Sequence, residues 1–126
     1  MYSHLTVGSN DVDTSQKFYD AIFTAIGAAA GNRLSPDRVF YMHNGGMLLV
    51  TKPINGEPAT YANGGTIGFA ASSGEVADAW HAAGLANGGT TCEEPPGVRE
   101  GGMGKMYLAY LRDPDGNKLC ALHRLG

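Results

Sequence analysis

The chain has 126 residues and a mass of 13.2 kDa, enough for one domain with a hydrophobic core. Its net charge of −3 and the absence of a basic run argue against nucleic-acid binding and against attraction to an anionic membrane surface. A hydrophobic content of 43% is typical of a globular protein, and no apolar segment approaches the roughly 20 residues that a membrane span needs.

The N-terminus has no basic region followed by an apolar one, so no signal peptide is expected. Cys92 and Cys120 are therefore predicted to be free thiols in a cytoplasmic protein rather than a disulfide.

The chain opens with a strand and a helix. Residues 2–8 alternate in the manner of a strand that has His4 on one face. Asp11 or Asp13 can cap a helix that ends at Gly27.

Further strands and a linker complete the first half. The pattern predicts strands at residues 38–42 and 47–51 and a shorter one near 28–34. A turn at residues 43–46 joins the first two of these strands. Residues 53–65 hold two prolines and three glycines, and this composition predicts a linker.

The same order of elements recurs in the second half. Residues 65–71 predict a strand, and Ser73 can cap a helix that Gly84 or Gly88 ends. A short strand is predicted at residues 90–93. The glycine-rich stretch in residues 94–105 precedes a strand rather than a helix, so it is not a phosphate-binding loop, and we expect it to form a lid.

The spacing of the strands and helices indicates an internal repeat. His4 and Thr66 are 62 residues apart, and so are the helix anchors Phe18 and Trp80. We therefore predict one α+β domain over residues 1–126, built from two βαβββ modules at about 1–60 and 64–126.

A hairpin near the end of the chain has the strongest local signature. Two apolar runs in residues 106–123 flank the turn Asp113-Pro114-Asp115-Gly116-Asn117. Pro114 suits the first turn position, and Gly116 is expected at positive φ. On this basis Gly116→Val should be severely destabilising and Asn117→Ala mild.

The predicted register of this hairpin sorts its side chains onto two faces. Tyr110 should lie opposite Cys120 and Leu108 opposite Leu122, all on one face. Both faces are mostly apolar, so we expect helices to cover one and a cavity to lie against the other. Lys118 is expected to point into solvent at the strand edge.

The turn and the repeated order of elements resemble the vicinal oxygen chelate superfamily, which includes glyoxalases, bleomycin-resistance proteins, extradiol dioxygenases and fosfomycin-modifying thiol transferases. The resemblance implies two βαβββ modules whose sheets form an open, barrel-like cavity with helices outside. It also implies a homodimer, because the fosfomycin and bleomycin branches complete each cavity across the dimer.

The resemblance also implies positions for a metal. Enzymes of the superfamily commonly bind one through a histidine on the first strand of each module and a glutamate on the last strand. His4, Thr66 and Cys120 stand at these positions. Threonine is a poor ligand, and a Cys120 thiolate would have to form in apolar surroundings. We therefore expect no cofactor, the alternative being Zn, Mn, Ni or Fe held by His4 and Cys120.

The cavity implied by the resemblance predicts a set of ligand-binding residues. Tyr110 matches a pocket tyrosine of the fosfomycin branch, Leu108 shares its face, and Tyr41 is expected to point inward from the first module. The predicted ligand-binding residues are His4, Tyr41, Thr66, Leu108, Tyr110 and Cys120.

Three functions remain open at this level. The first is binding of a small molecule without a metal, as in the bleomycin-resistance branch. The second is a metal-dependent lyase, thiol transferase or dioxygenase that recruits other ligands such as His43 or His123. The third is a dimeric scaffold whose cavity is filled by its own side chains.

Overall fold

The computed structural model describes residues 1–126, which form two β-sheets and two α-helices. The elements in chain order are β1 (Leu5–Gly8), α1 (Val12–Ala25), β2 (Asn32–Ser35), β3 (Arg38–His43), β4 (Gly46–Thr51), β5 (Ile67–Ala70), α2 (Gly74–Ala86), β6 (Thr90–Thr91), β7 (Gly97–Gly101), β8 (Gly104–Arg112) and β9 (Lys118–Arg124). Neither helix is both long and apolar enough to cross a bilayer.

The two sheets repeat one topology. Sheet A has the strand order β1-β4-β3-β2, and β1 runs parallel to β4. Sheet B has the order β5-β9-β8, with β5 parallel to β9 and with β6 and β7 both paired to β8. β1 and β5 begin 62 residues apart, as do α1 and α2. The predicted α+β fold is therefore confirmed, and the sheets do not close into a barrel.

Capping residues set the helix boundaries. Asp11, not Asp13, caps α1 by accepting a backbone N–H three residues on, and Ser73 caps α2 in the same way. Gly27, with φ of +90°, follows the end of α1. α2 continues through Gly84 and ends before Gly88.

The core lies between the sheets and the helices, which also pack on each other. Phe18, Tyr19 and Ile22 of α1 and Trp80 of α2 are fully buried in it. The side of sheet B that faces the helices contributes four more fully buried residues, Ala109, Leu111, Leu119 and Ala121. This is the face that the hairpin register predicts beneath a helix.

The predicted lid is wrong. Gly97–Gly101 forms β7, which pairs antiparallel with β8 from Gly97 opposite Leu108 to Gly101 opposite Gly104. Gly104 has φ of +95°, a conformation that closes a tight turn without steric cost in glycine. The glycine-rich stretch is thus a hairpin turn rather than a mobile loop.

Two predicted strands are shorter than expected. β1 begins at Leu5, so the exposed residues 1–4 precede it instead of extending it. β6 covers Thr90–Thr91 only, because Glu93 has φ of +58° and turns the chain out of the extended conformation.

The predicted turn at residues 113–117 is also a polar connection between the modules. Asp113 Oδ1 accepts the backbone N–H of Asp115 at 2.9 Å and of Asn117 at 2.8 Å. Asp113 Oδ2 accepts the Tyr19 hydroxyl at 2.6 Å and the Asn117 side-chain amide at 2.8 Å. Burial raises the pKa of Asp113 despite these hydrogen bonds.

Asn117 and Asp115 extend this connection to the start of α1. The buried Asn117 amide also donates to the Gly8 carbonyl at 3.1 Å, and Asp115 accepts from Asn10 at 3.0 Å and from Ser15 at 3.2 Å. We call this group the module clamp; its residues are Gly8, Asn10, Ser15, Tyr19, Asp113, Asp115 and Asn117. The side chain joins the two modules, so the structure favours a stronger effect of Asn117→Ala than the mild one expected from the turn alone.

Candidate functional site

The face of sheet B that points away from the helices, here called the open face, carries three of the predicted ligand-binding residues. Leu108 lies opposite Leu122 and Tyr110 opposite Cys120, as the register predicts. Gly68 of β5 is the neighbour of Cys120 on its other side. Cys120 and Leu108 are buried, and Tyr110 is half-buried.

The thiol and the phenol on the open face are both neutral near pH 7. Burial raises the pKa of the Cys120 thiol to about 11. Burial, with the nearby Cys120 and Glu93, also raises the pKa of Tyr110 above its usual value. Both groups therefore present protons to a ligand and supply no negative charge.

Two cations lie in the next row of the same face. Arg112 and Lys118 are directly opposite each other on β8 and β9. Lys118 forms an ion pair with Glu93, and its ammonium lies 5.1 Å from the centre of the Tyr110 ring. The Lys118 side chain is only 24% exposed. The prediction that it points into solvent is thus wrong, because Glu93 holds it over the sheet.

Arg112 has a different set of neighbours. Its guanidinium lies 5.5 Å from the centre of the Tyr61 ring and donates to the Gly116 carbonyl at 2.8 Å. Sequence reasoning did not single out this residue, although its position opposite Lys118 follows from the same register that pairs Tyr110 with Cys120.

Sheet A has an open face of its own, and it is apolar. The register places Phe40 beside Leu49 and Met42 beside Met47 on this face. Met42 is 63% exposed. No strand of one sheet pairs with a strand of the other, and the helices cover only the opposite face of each sheet.

The remaining three predicted site residues lie outside the hairpin of β8 and β9. Exposed His4 precedes β1 of sheet A, and its Nδ1 lies 2.8 Å from the Ser3 hydroxyl. Thr66, also exposed, precedes β5 of sheet B. Tyr41 is buried on the helix side of sheet A, where its hydroxyl donates to Asp20 at 2.7 Å. Burial and this hydrogen bond raise the pKa of Tyr41.

Tyr41 lines a cavity between α1, β5 and the turn joining β3 to β4. The cavity has a volume of about 300 Å³ and mostly apolar walls. The rings of Tyr41, Phe23 and Phe69 contribute to it, and Phe23 contacts both of the others, with ring centres 4.7 and 5.0 Å apart. The cavity lies at a junction of the two modules, which no periodicity within one strand or helix reveals.

The donors at the superfamily's metal positions do not suit a divalent metal. No three His, Cys, Asp or Glu side chains of the chain come together in a way that could hold one. Of the residues at these three positions, Cys120 keeps its proton up to about pH 11, and the neutral Thr66 hydroxyl is a weak metal ligand. His4 is therefore the only good metal ligand of the three. His123, an alternative ligand, is hydrogen-bonded to the Ala71 carbonyl at 3.0 Å.

Comparison with known proteins agrees with the fold. The model of the family described as Glyoxalase/Bleomycin resistance protein/Dioxygenase superfamily matches residues 2–121. A crystal structure of a glyoxalase/bleomycin resistance protein from Albidiferax ferrireducens T118 is 60% identical, with a TM-score of 0.95 over 98% of this chain and 99% of that one. No curated protein matches the chain significantly.

More distant structures share the fold alone. A glyoxalase/bleomycin resistance protein/dioxygenase family enzyme from Burkholderia phytofirmans PsJN is 19% identical, with a TM-score of 0.74 over 98% of each chain. Lactoylglutathione lyase from Agrobacterium tumefaciens is 23% identical, with a TM-score of 0.66 over 97% of this chain and 92% of that one. Because the family model matches residues 2–121 and one solved member is 60% identical, the chain belongs to the Glyoxalase/Bleomycin resistance protein/Dioxygenase superfamily.

Proposed function

We propose that the protein binds a small organic molecule on the open face of sheet B without the usual metal of the superfamily. The observation that carries this proposal is the state of Cys120. The family resemblance aligns Cys120 with the glutamate ligand, yet Cys120 is buried and burial raises its pKa to about 11. A neutral thiol beside a phenol provides contacts for a ligand but not the charge that holds a divalent cation.

The shape of the chain supports a second part of the proposal, namely that two copies associate. Each sheet has one face that no helix covers, and that of sheet A exposes large apolar side chains such as Met42 and, in part, Phe40. Exposed apolar surface of this kind favours association, and a homodimer could place one copy's sheet A over the other's sheet B. The protein would act in the cytoplasm, where its two free cysteines stay reduced.

Metal analysis tests the absence of a metal. Protein purified without chelator should carry well under one equivalent of Zn, Mn, Ni or Fe by plasma mass spectrometry. The double variant Thr66→His, Cys120→Glu should raise this content, because it supplies an imidazole and a carboxylate at the superfamily's positions. Near-stoichiometric metal in the unmodified protein, lost in His4→Ala, would instead favour the metal-dependent enzyme.

Ligand binding is tested separately, by the rise in melting temperature with a panel of small neutral and charged aromatic compounds. A compound that binds on the open face should lose its effect in Leu122→Asn, where a polar group enters the apolar row. Leu85→Asn is the matched control, since Leu85 is exposed on α2. If no compound raises the melting temperature, the scaffold with a filled cavity becomes the better explanation.

A further inference from the structure

Two cations at one end of the open face, Arg112 and Lys118, oppose each other without enough acid to balance them. Arg112 and Lys118 occupy directly paired positions, where like charges are destabilising. Glu93 forms an ion pair with Lys118, and no carboxylate of the chain forms one with Arg112. This end of the face therefore has a local excess of positive charge in a chain whose net charge is −3.

The acid that accompanies these cations is held in an unusual backbone conformation. Glu93 has φ of +58°, a region that non-glycine residues rarely adopt. Its side chain is 45% exposed, compared with 24% for Lys118. Because its carboxylate is partly exposed to solvent, Glu93 can leave Lys118 more easily than a buried partner could.

The two rows of the open face next to these cations are mostly apolar. Leu108 and Leu122 form one row, Tyr110 and Cys120 the next, and Arg112 with Lys118 the third. Because alternate residues of a strand are about 7 Å apart, the first and third rows are separated by about 13 Å. This distance suits a molecule with one apolar ring and a short chain.

We propose that the open face of sheet B selects organic anions, with an apolar body over Leu108 and Leu122 and a carboxylate or other acidic group between Arg112 and Lys118. The inference rests on the proposed function, since it names the ligand class of the same face. The acidic group would replace Glu93 as the partner of Lys118 and would give Arg112 the carboxylate that it lacks. The Tyr110 hydroxyl lies in the intervening row and can donate to the ligand.

Three probes that differ only in their end group test the charge preference. Calorimetric titration with 4-phenylbutanoate, 4-phenylbutan-1-ol and 4-phenylbutan-1-amine should give a Kd for the acid about tenfold lower than for the alcohol, and the weakest binding for the amine. Lys118→Gln should remove most of the difference between acid and alcohol, whereas Glu93→Gln should enlarge it by freeing Lys118.

A matched control separates this site from general charge effects. Lys17→Gln removes one positive charge from the exposed surface of α1, on the opposite side of the sheet from the open face, and should leave the preference for the acid unchanged. Arg112→Gln should act like Lys118→Gln, with thermal melts to check its folding because Arg112 also holds the Gly116 carbonyl.

Each outcome separates this inference from the proposed function. Equal affinity for the acid and the alcohol, or a preference for the acid that survives both Lys118→Gln and Arg112→Gln, overturns the anion site and leaves small-molecule binding intact. If none of the three probes binds at millimolar concentration, the anion site is also overturned. The proposed function fails only if the neutral members of the wider panel give no response either.

Discussion

Replacing Asn117 with alanine should destabilise the fold strongly, because one side chain holds two parts of the module clamp. Asn117 is 7% exposed, and its amide donates to the Gly8 carbonyl at 3.1 Å and to Asp113 Oδ2 at 2.8 Å. The alanine variant loses both bonds, and no water can easily replace a donor at a buried position.

The expected size of the effect follows from the two acceptors. A hydrogen bond to a neutral carbonyl contributes about 1 kcal/mol and one to a carboxylate about 2 kcal/mol. The free energy of unfolding should therefore fall by about 3 kcal/mol. For a chain of this length this corresponds to a decrease in Tm of about 10 °C.

Thermal and urea unfolding followed by circular dichroism measure this loss. Asn63→Ala is the matched control, because Asn63 is exposed in the linker and its side chain makes no hydrogen bond within the chain. It should unfold within about 1 °C of the parent protein. Equal melting temperatures for Asn117→Ala and Asn63→Ala would refute the argument that the clamp holds the modules together.

Three further predictions concern the hairpin, its thiol and the assembly. Gly116→Val should lower Tm markedly, because φ is +92° at this position and valine is strained there. The control Gly68→Ala should be tolerated, because its added Cβ meets open space. Similar melting temperatures for the two variants would contradict the assigned turn. Because burial raises the pKa of Cys120 to about 11, about 0.1% of it is thiolate at pH 8. Its alkylation by iodoacetamide should rise about tenfold per pH unit below that pKa, and rapid labelling at pH 7 in Cys92→Ser would contradict this. Light scattering at micromolar concentration should give twice 13.2 kDa, and a monomer would refute the proposed dimer.

Local patterns predict much of this fold because the interactions concerned join residues that are close together in the chain. The pairing of Tyr110 with Cys120 follows from one turn and the two-residue period of a strand, and both agree with the structure. The helix caps at Asp11 and Ser73 are similarly local. The alternative cap, Asp13, is excluded only by hydrogen-bond geometry.

Features that depend on distant pairs could not be predicted in the same way. The turn motif at residues 113–117 indicates a bend, but nothing in it names Tyr19, 94 residues away, as the partner of Asp113. The pattern of β9 predicts that Lys118 points into solvent, because it carries no information about Glu93, which lies in the loop between β6 and β7. The sequence predicts a loop instead of the hairpin of β7 and β8, because the glycines of this stretch weaken the strand pattern. The same glycines permit the tight turn between the two strands.

The module clamp also determines when the protein can fold during its synthesis. Asn10 and Asp115 are separated by 105 positions in the chain, and Asn117 reaches back 109 positions to Gly8. When only the first half of the chain has left the ribosome, its sheet and helix are exposed, because the clamp residues of the second module have not yet been made. All strands of sheet A lie within the first 51 residues, but the clamp forms only after almost the last residues are translated, so apolar surface between the modules stays exposed until then.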